Sequence, residues 1–126
     1  MNIERLSDFL AELPREHRYV IEIRDESWLV KEVYEALRQF NVGFCIHDLA
    51  HMQTPLEITA DFTYVRFHGP GAAKYRGSYA DSALRQWAET ISKWRVANVD
   101  SYVYFNNDIG GHAIRNAQTL KQLLSV

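Results

Sequence analysis

The sequence predicts an α/β fold in which four parallel strands with flanking helices form half of a (β/α) barrel. Three observations lead there. Apolar stripes of helical period alternate with β-branched runs, the rhythm of parallel strands joined by right-handed crossovers. Three of the four strands carry one uniformly apolar face, suited to packing under helices. Their opposite face turns polar toward its C-terminal end, which a sheet covered by helices on both sides cannot accommodate and the mouth of a barrel can.

The elements follow in order. Ile3, Leu6, Phe9, Leu10 and Leu13 form a helical stripe that Pro14 closes. The run from Arg18 to Arg24 reads as the first strand. Leu29 to Phe40 is helical, with Leu29, Val33, Ala36, Leu37 and Phe40 inward and Ser27 as the N-cap. Val42 to Asp48 is the second strand, and the Pro55-containing stretch from Leu49 to Asp61 reads as loop. Asp61 to Gly69 is the third strand, followed by a Gly-rich loop. Asp81 or Ser82 caps a helix with Leu84, Trp87, Ala88, Ile91 and Trp94 inward. Ser101 to Asn107 is the fourth strand. Gly110 and Gly111 then introduce a helix that places Ala113, Ile114, Ala117, Leu120 and Leu124 inward.

Side chains alternate along a strand, so each strand divides into two sets. Glu22 and Arg24 oppose Ile21 and Ile23, Arg66 and His68 oppose Val65 and Phe67, and Tyr104 and Asn106 oppose Val103 and Phe105. In the second strand Phe44, Ile46 and Asp48 oppose Cys45 and His47, and the latter pair is expected to face the helices. Unpaired charge is expensive to bury, so the polar set must pair internally or line a wet cavity. The bland alternative for each residue is a register-fixing ion pair, a hydrogen-bonded histidine or a barrel-filling tyrosine. Independent structural roles would not all collect at one end of one face, which favours a ligand site. The Gly-rich loops after the third and fourth strands, with Arg66, Lys74 and Arg76 nearby, add an anion site as a candidate. His47, His51, His68 and His112 with Asp48 and Asp108 are metal-ligand types, and His47 and His51 stand at HxxxH spacing, yet nothing sets the group on one surface, and no metal is predicted.

Composition narrows the classes. A net charge of −2 over 126 residues supplies no general basic field, so it gives no support to nucleic-acid binding. The single cysteine, Cys45, excludes an internal disulfide and fits a reducing compartment. No apolar run suits a membrane span and the N-terminal helix lacks a signal-peptide core, so a cytoplasmic location is the expectation.

IEIRDESW, TYVRFHG followed by Tyr75 and Tyr79, and YFNND followed by Ala113, Asn116 and Ala117 resemble the domain of unknown function 72 family, also called YecE-like. The resemblance runs from about Leu6 to Leu124, and it implies a fold similar to TIM barrels but about twice this length. The chain is thus expected to be a single domain, residues 1–126, corresponding to the C-terminal half of a (β/α)8 barrel. The resemblance implies no settled activity. Its motif positions fall on Glu22, Arg24, Trp28, Asp48, Arg66, His68, Gly69, Tyr75, Tyr79, Tyr104, Asn106, Asn107 and Asp108.

Two classes stay open, an enzyme on a small polar or phosphorylated substrate and a non-catalytic metabolite- or anion-binding module. As an enzyme, His68 is the candidate acid/base and Glu22 a second acid/base or orienting group. Arg24 and Arg66 would hold an anionic group, with Asp48, Tyr75, Tyr104, Asn106, Asn107 and Asp108 as further substrate contacts. Four strands cannot close a barrel, so self-association through unpaired strand edges is the expected partnership.

Overall fold

The structure, a computed structural model, describes residues 1–49, 52–71 and 75–125. Helix α1 (Ile3–Glu12) starts under Asn2, whose side-chain oxygen accepts from the Arg5 N–H at 3.0 Å. Leu10 is buried, while Phe9, at the margin of the stripe, is exposed. The first strand pairs over only two residues, β1 (Val20–Ile21). Asp25 then caps a single 3-10 turn (Glu26–Trp28), so α2 (Lys31–Gln39) begins after Val30 rather than under Ser27.

Strand β2 (Gly43–Leu49) is followed by a two-residue strand β3 (Met52–Gln53) that folds back antiparallel on it, where the sequence reads as loop. Strand β4 (Phe62–Phe67), helix α3 (Asp81–Val96), strand β5 (Asp100–Phe105) and helix α4 (His112–Leu124) complete the order. Helix α3 carries no side-chain cap, with Ala80 at its N-cap. Within α4, Ala113 and Leu120 are buried, but Ile114 points to solvent.

The sheet order is β1-β2-β4-β5, with all three pairings parallel, as the alternating pattern predicts. Ile46, Val65 and Phe67 are buried on the face that α2, α3 and α4 cover. Phe67 centres this core, stacking on Phe105 at 4.7 Å and meeting Trp87 and Tyr79 edge-on at 5.0 and 5.1 Å.

The opposite face is concave. Arg18, just ahead of β1, donates to Asp100 and to the Tyr102 hydroxyl on β5 at 3.2 and 2.9 Å. Three flat interstrand steps of about 4.8 Å would put these strands beyond an arginine's reach. The sheet therefore curls around that side chain. Phe62 lies beneath the Arg18 guanidinium, and a methyl group on Gly43 would sit 2.9 Å from its ring. Glycine at 43 lets the aromatic floor of the hollow close.

Candidate functional site

The pairing register decides which residues share the hollow. In a parallel ladder, partners point the same way, and Cys45 pairs with Tyr64 and His47 with Arg66. Cys45 and His47 therefore lie on the concave face, contrary to the expectation that they face the helices. Asp48 pairs with Phe67 and so belongs to the helix side. Burial pushes its carboxyl pKa up, with the Tyr79 hydroxyl nearby. It is not part of the rim cluster.

Six of the expected residues do come together: Glu22, Arg24, Arg66, His68, Tyr75 and Asn106. Glu22 is the hub. Its carboxylate accepts from Arg66 Nη1 at 2.6 Å and from Arg24 Nε, and lies 3.6 Å from the Cys45 thiol and 3.6 Å from His68 Nε2. Arg66 also donates through Nε to Asn106 Oδ1 at 3.1 Å. Burial pushes the Glu22 pKa up, but hydrogen bonds and charges from Arg66 and Arg24 outweigh it, so the carboxylate stays ionised. The same charge acting on the buried Cys45 adds to desolvation and pushes that thiol up.

His68 sits behind this network and is fully buried. Neither ring nitrogen has a hydrogen-bond partner among the described residues. Its ring meets Tyr75 at 5.5 Å and His47 at 5.8 Å, both edge-on, and His47 Nε2 is engaged by the Ile23 carbonyl at 2.8 Å. Burial first, then the charge of Arg66, pushes the His68 pKa down to about 4. The imidazole is neutral near pH 7.

This has a measurable consequence. Between about pH 6.5 and 4 the unfolded chain binds a proton at residue 68 that the folded chain refuses, so stability falls as pH falls through that window. The slope approaches about 1.4 kcal/mol per pH unit, and Glu22, depressed in the fold, adds to the loss at the acid end. Urea midpoints measured across the window should show this decline, and the His68→Leu variant should lose the part above pH 5. An identical profile in that variant would contradict the assignment.

The loop after β4 covers His68. Gly69 holds φ at 125°, Tyr75 at 62° and Gly77 at 85°, folding the chain back so that the Tyr75 N–H donates to the His68 carbonyl at 2.6 Å. Two amides tie this loop to the end of β5. Asn107 donates to the Gly77 carbonyl at 2.9 Å and to Asn116 Oδ1 at 2.8 Å, and Asn116 Oδ1 also accepts from the Tyr79 N–H at 3.1 Å. Asn107 is fully buried and serves the scaffold rather than the hollow. Asn116, read from sequence only as part of a motif, is the residue on which the loop is fastened. Asn116→Ala strands two buried donors and should lower unfolding free energy by about 2 kcal/mol, read from denaturant midpoints.

Tyr104 lies on the concave face, stacked near Tyr64 at 5.1 Å and half exposed. Asp108 is exposed beyond the strand, where its carbonyl accepts from Gly111. Lys74 and His51 lie outside the described residues. Arg76 is exposed, and its backbone bridges to Ile109, joining the loops after β4 and β5. Among the described residues, no group of three or more His, Cys, Asp or Glu side chains is placed to hold a metal ion. A cleft of about 350 Å³ runs along the hollow past Arg18, Glu22, Cys45, Tyr64 and Arg66.

Parallel strands with helices on the convex side, and charge gathered at the C-terminal ends of the concave side, define a TIM-barrel-like α/β protein. Residues 1–126 match the family described as Protein of unknown function DUF72, and the chain belongs to that family. Two solved structures share its fold. A DUF72 family protein of Thermotoga maritima is 28% identical with a TM-score of 0.83, and one of Enterococcus faecalis is 21% identical with a TM-score of 0.80. Each match covers 98% of this chain and 52% of the other, so the chain spans about half the length of these relatives. No curated protein matches it. Among the described residues, no helix is long and apolar enough to cross a membrane.

Proposed function

We propose that the rim of the hollow is a binding site for a small polar anion of the phosphate or carboxylate class. One observation carries this. Two guanidiniums, Arg24 and Arg66, share the single carboxylate of Glu22, while His68 beside them is neutral. The cluster keeps one net positive charge, on arginines that retain exposed surface, with Arg66 lining the cleft. Planar guanidinium forks suit bidentate recognition of oxyanions, and Asn106 fixes the tilt of one of them. The C-terminal ends of barrel strands are also where this architecture binds substrates. The chain corresponds, in this reading, to the C-terminal half of such a barrel.

Titration of the protein with inorganic phosphate and with a sugar phosphate at low ionic strength tests the proposal. Saturable binding should weaken at least tenfold in Arg66→Gln, which removes a charge-assisted contact worth about 1.5–3 kcal/mol. Wild-type protein that fails to bind either anion, or a variant that binds equally well, would overturn it.

A binding module is favoured over an enzyme by the burial of His68 beneath Tyr75, since anion capture by the arginines does not require that ring. Catalysis with His68 as proton acceptor needs Tyr75 displaced. His68→Ala separates the two: turnover lost with binding kept supports the enzyme, and no turnover in wild type supports the module.

A further inference from the structure

We infer that the rim binds its anion together with a proton: a dianionic oxyanion draws Arg24 off Glu22, and His68 becomes protonated and takes the released carboxylate oxygen. The inference rests on the anion site proposed above and adds its charge class and its regulation. It starts from how the Glu22 carboxylate is divided. Oε2 accepts from Arg66 Nη1 at 2.6 Å, with the Cys45 thiol 3.6 Å away. Oε1 is shared: it accepts from Arg24 Nε and is also the oxygen that lies 3.6 Å from His68 Nε2. Arg24 is the more exposed arginine, its side chain 47% accessible against 29% for Arg66, and only Arg66 is anchored by Asn106. An incoming oxyanion can therefore turn Arg24 away without breaking the frame of Arg66, Glu22 and Asn106.

His68 is prepared for the exchange. Both of its ring nitrogens are buried without a partner among the described residues, and a hydrogen bond to Oε1 would satisfy one of them. The titratable and charged groups facing the ring or its carboxylate, among the described residues, are Glu22 and Arg24 from the first strand and its end, Cys45 and His47 from β2, Arg66 from β4 and Tyr75 from the covering loop. Cys45 keeps its proton and His47 Nε2 is engaged by the Ile23 carbonyl at 2.8 Å. One carboxylate and two guanidiniums therefore decide the charge on His68. Alone they sum to plus one, and an imidazolium would make plus two in a buried setting, which burial and Arg66 oppose. A bound dianion brings the sum to minus one, and a proton on His68 then makes it zero. A monoanion reaches zero unaided, so a proton would restore unpaired charge. The count ties proton uptake to dianions such as phosphate monoesters and sulfate and separates them from carboxylates. By linkage, a dianion that raises the proton affinity of His68 must itself bind more tightly as pH falls.

The probes are sulfate, which keeps both charges from mildly acidic to neutral pH, and methanesulfonate, which carries one. Calorimetry on the 126-residue chain at low ionic strength, in two buffers of different ionisation enthalpy, reads affinity and proton uptake together. Sulfate should bind about tenfold more tightly at about pH 5.5 than at about pH 7.5, with about one proton taken up at the acid end, as linkage gives for a group whose pKa rises into that window. Methanesulfonate should give a flat profile. His68→Gln should flatten the sulfate profile and abolish the uptake. Because glutamine at a buried position can disturb folding, the His68 ring resonances of unmodified protein supply a second reading, and their titration midpoint should move up when sulfate is added. A flat sulfate profile, an unmoved midpoint, or a slope that survives His68→Gln would overturn the coupling and leave the anion site standing. An equal slope with methanesulfonate would overturn the charge count behind it. Sulfate that binds at neither pH would remove the anion site, and this inference with it.

Discussion

Gly69→Ala is expected to destabilise the protein by about 3–5 kcal/mol, combining a strained backbone with an overlap that cannot be relieved locally. Gly69 adopts φ of 125°, a region L side chains rarely enter. An added Cβ would lie 2.6 Å from the Arg76 carbonyl oxygen and 3.0 Å from its nitrogen. Those atoms cannot retreat easily, because Arg76 bridges to Ile109 and Asn107 holds the next carbonyl. The Gly69 N–H also donates to the buried Tyr79 hydroxyl at 3.0 Å. Denaturant unfolding gives the energy, and the His68 ring resonances report whether Tyr75 has lifted. Wild-type stability together with an unchanged His68 environment would show that the loop is not held as described.

Phe67→Ala should cost about 3–5 kcal/mol, the range for removing a large aromatic from a packed core. The ring is fully buried and contacts Phe105, Trp87 and Tyr79, so α3, β5 and the β4 loop all lean on it. Phe67→Leu keeps most of the volume and should cost less than half as much. Equal losses for both variants would mean that aromatic geometry, rather than filled space, sets the packing there.

The strand–helix rhythm was readable because apolar period distinguishes helix from strand, and four parallel strands in the expected sequence order resulted. The polar rim was readable because Glu22, Arg66, His68 and Asn106 occupy alternate positions near strand ends. The β2 faces were misjudged for a physical reason. Phe44, Ile46 and Asp48 share one face by alternation, and a carboxylate at the strand end resembles a rim group, so that face looks like the interior one. The register reverses this: Cys45 and His47 are interior, and Asp48 lies on the helix side. Strand β3 was invisible because two residues carry no period. Asn107 looked like a substrate contact because its role depends on Asn116, nine residues away on a helix, and sequence alone does not show such a bond.

Cys45 is the chain's single cysteine, wholly buried within the hollow between Glu22 and Tyr64, with its thiol held in the protonated form. The thiolate is the species an alkylating reagent attacks, and burial beside the Glu22 carboxylate keeps the proton on this sulfur in the closed fold. Alkylation kinetics of unmodified protein therefore report how often the surroundings of Cys45 loosen enough to release that proton, without a mutation or a dye.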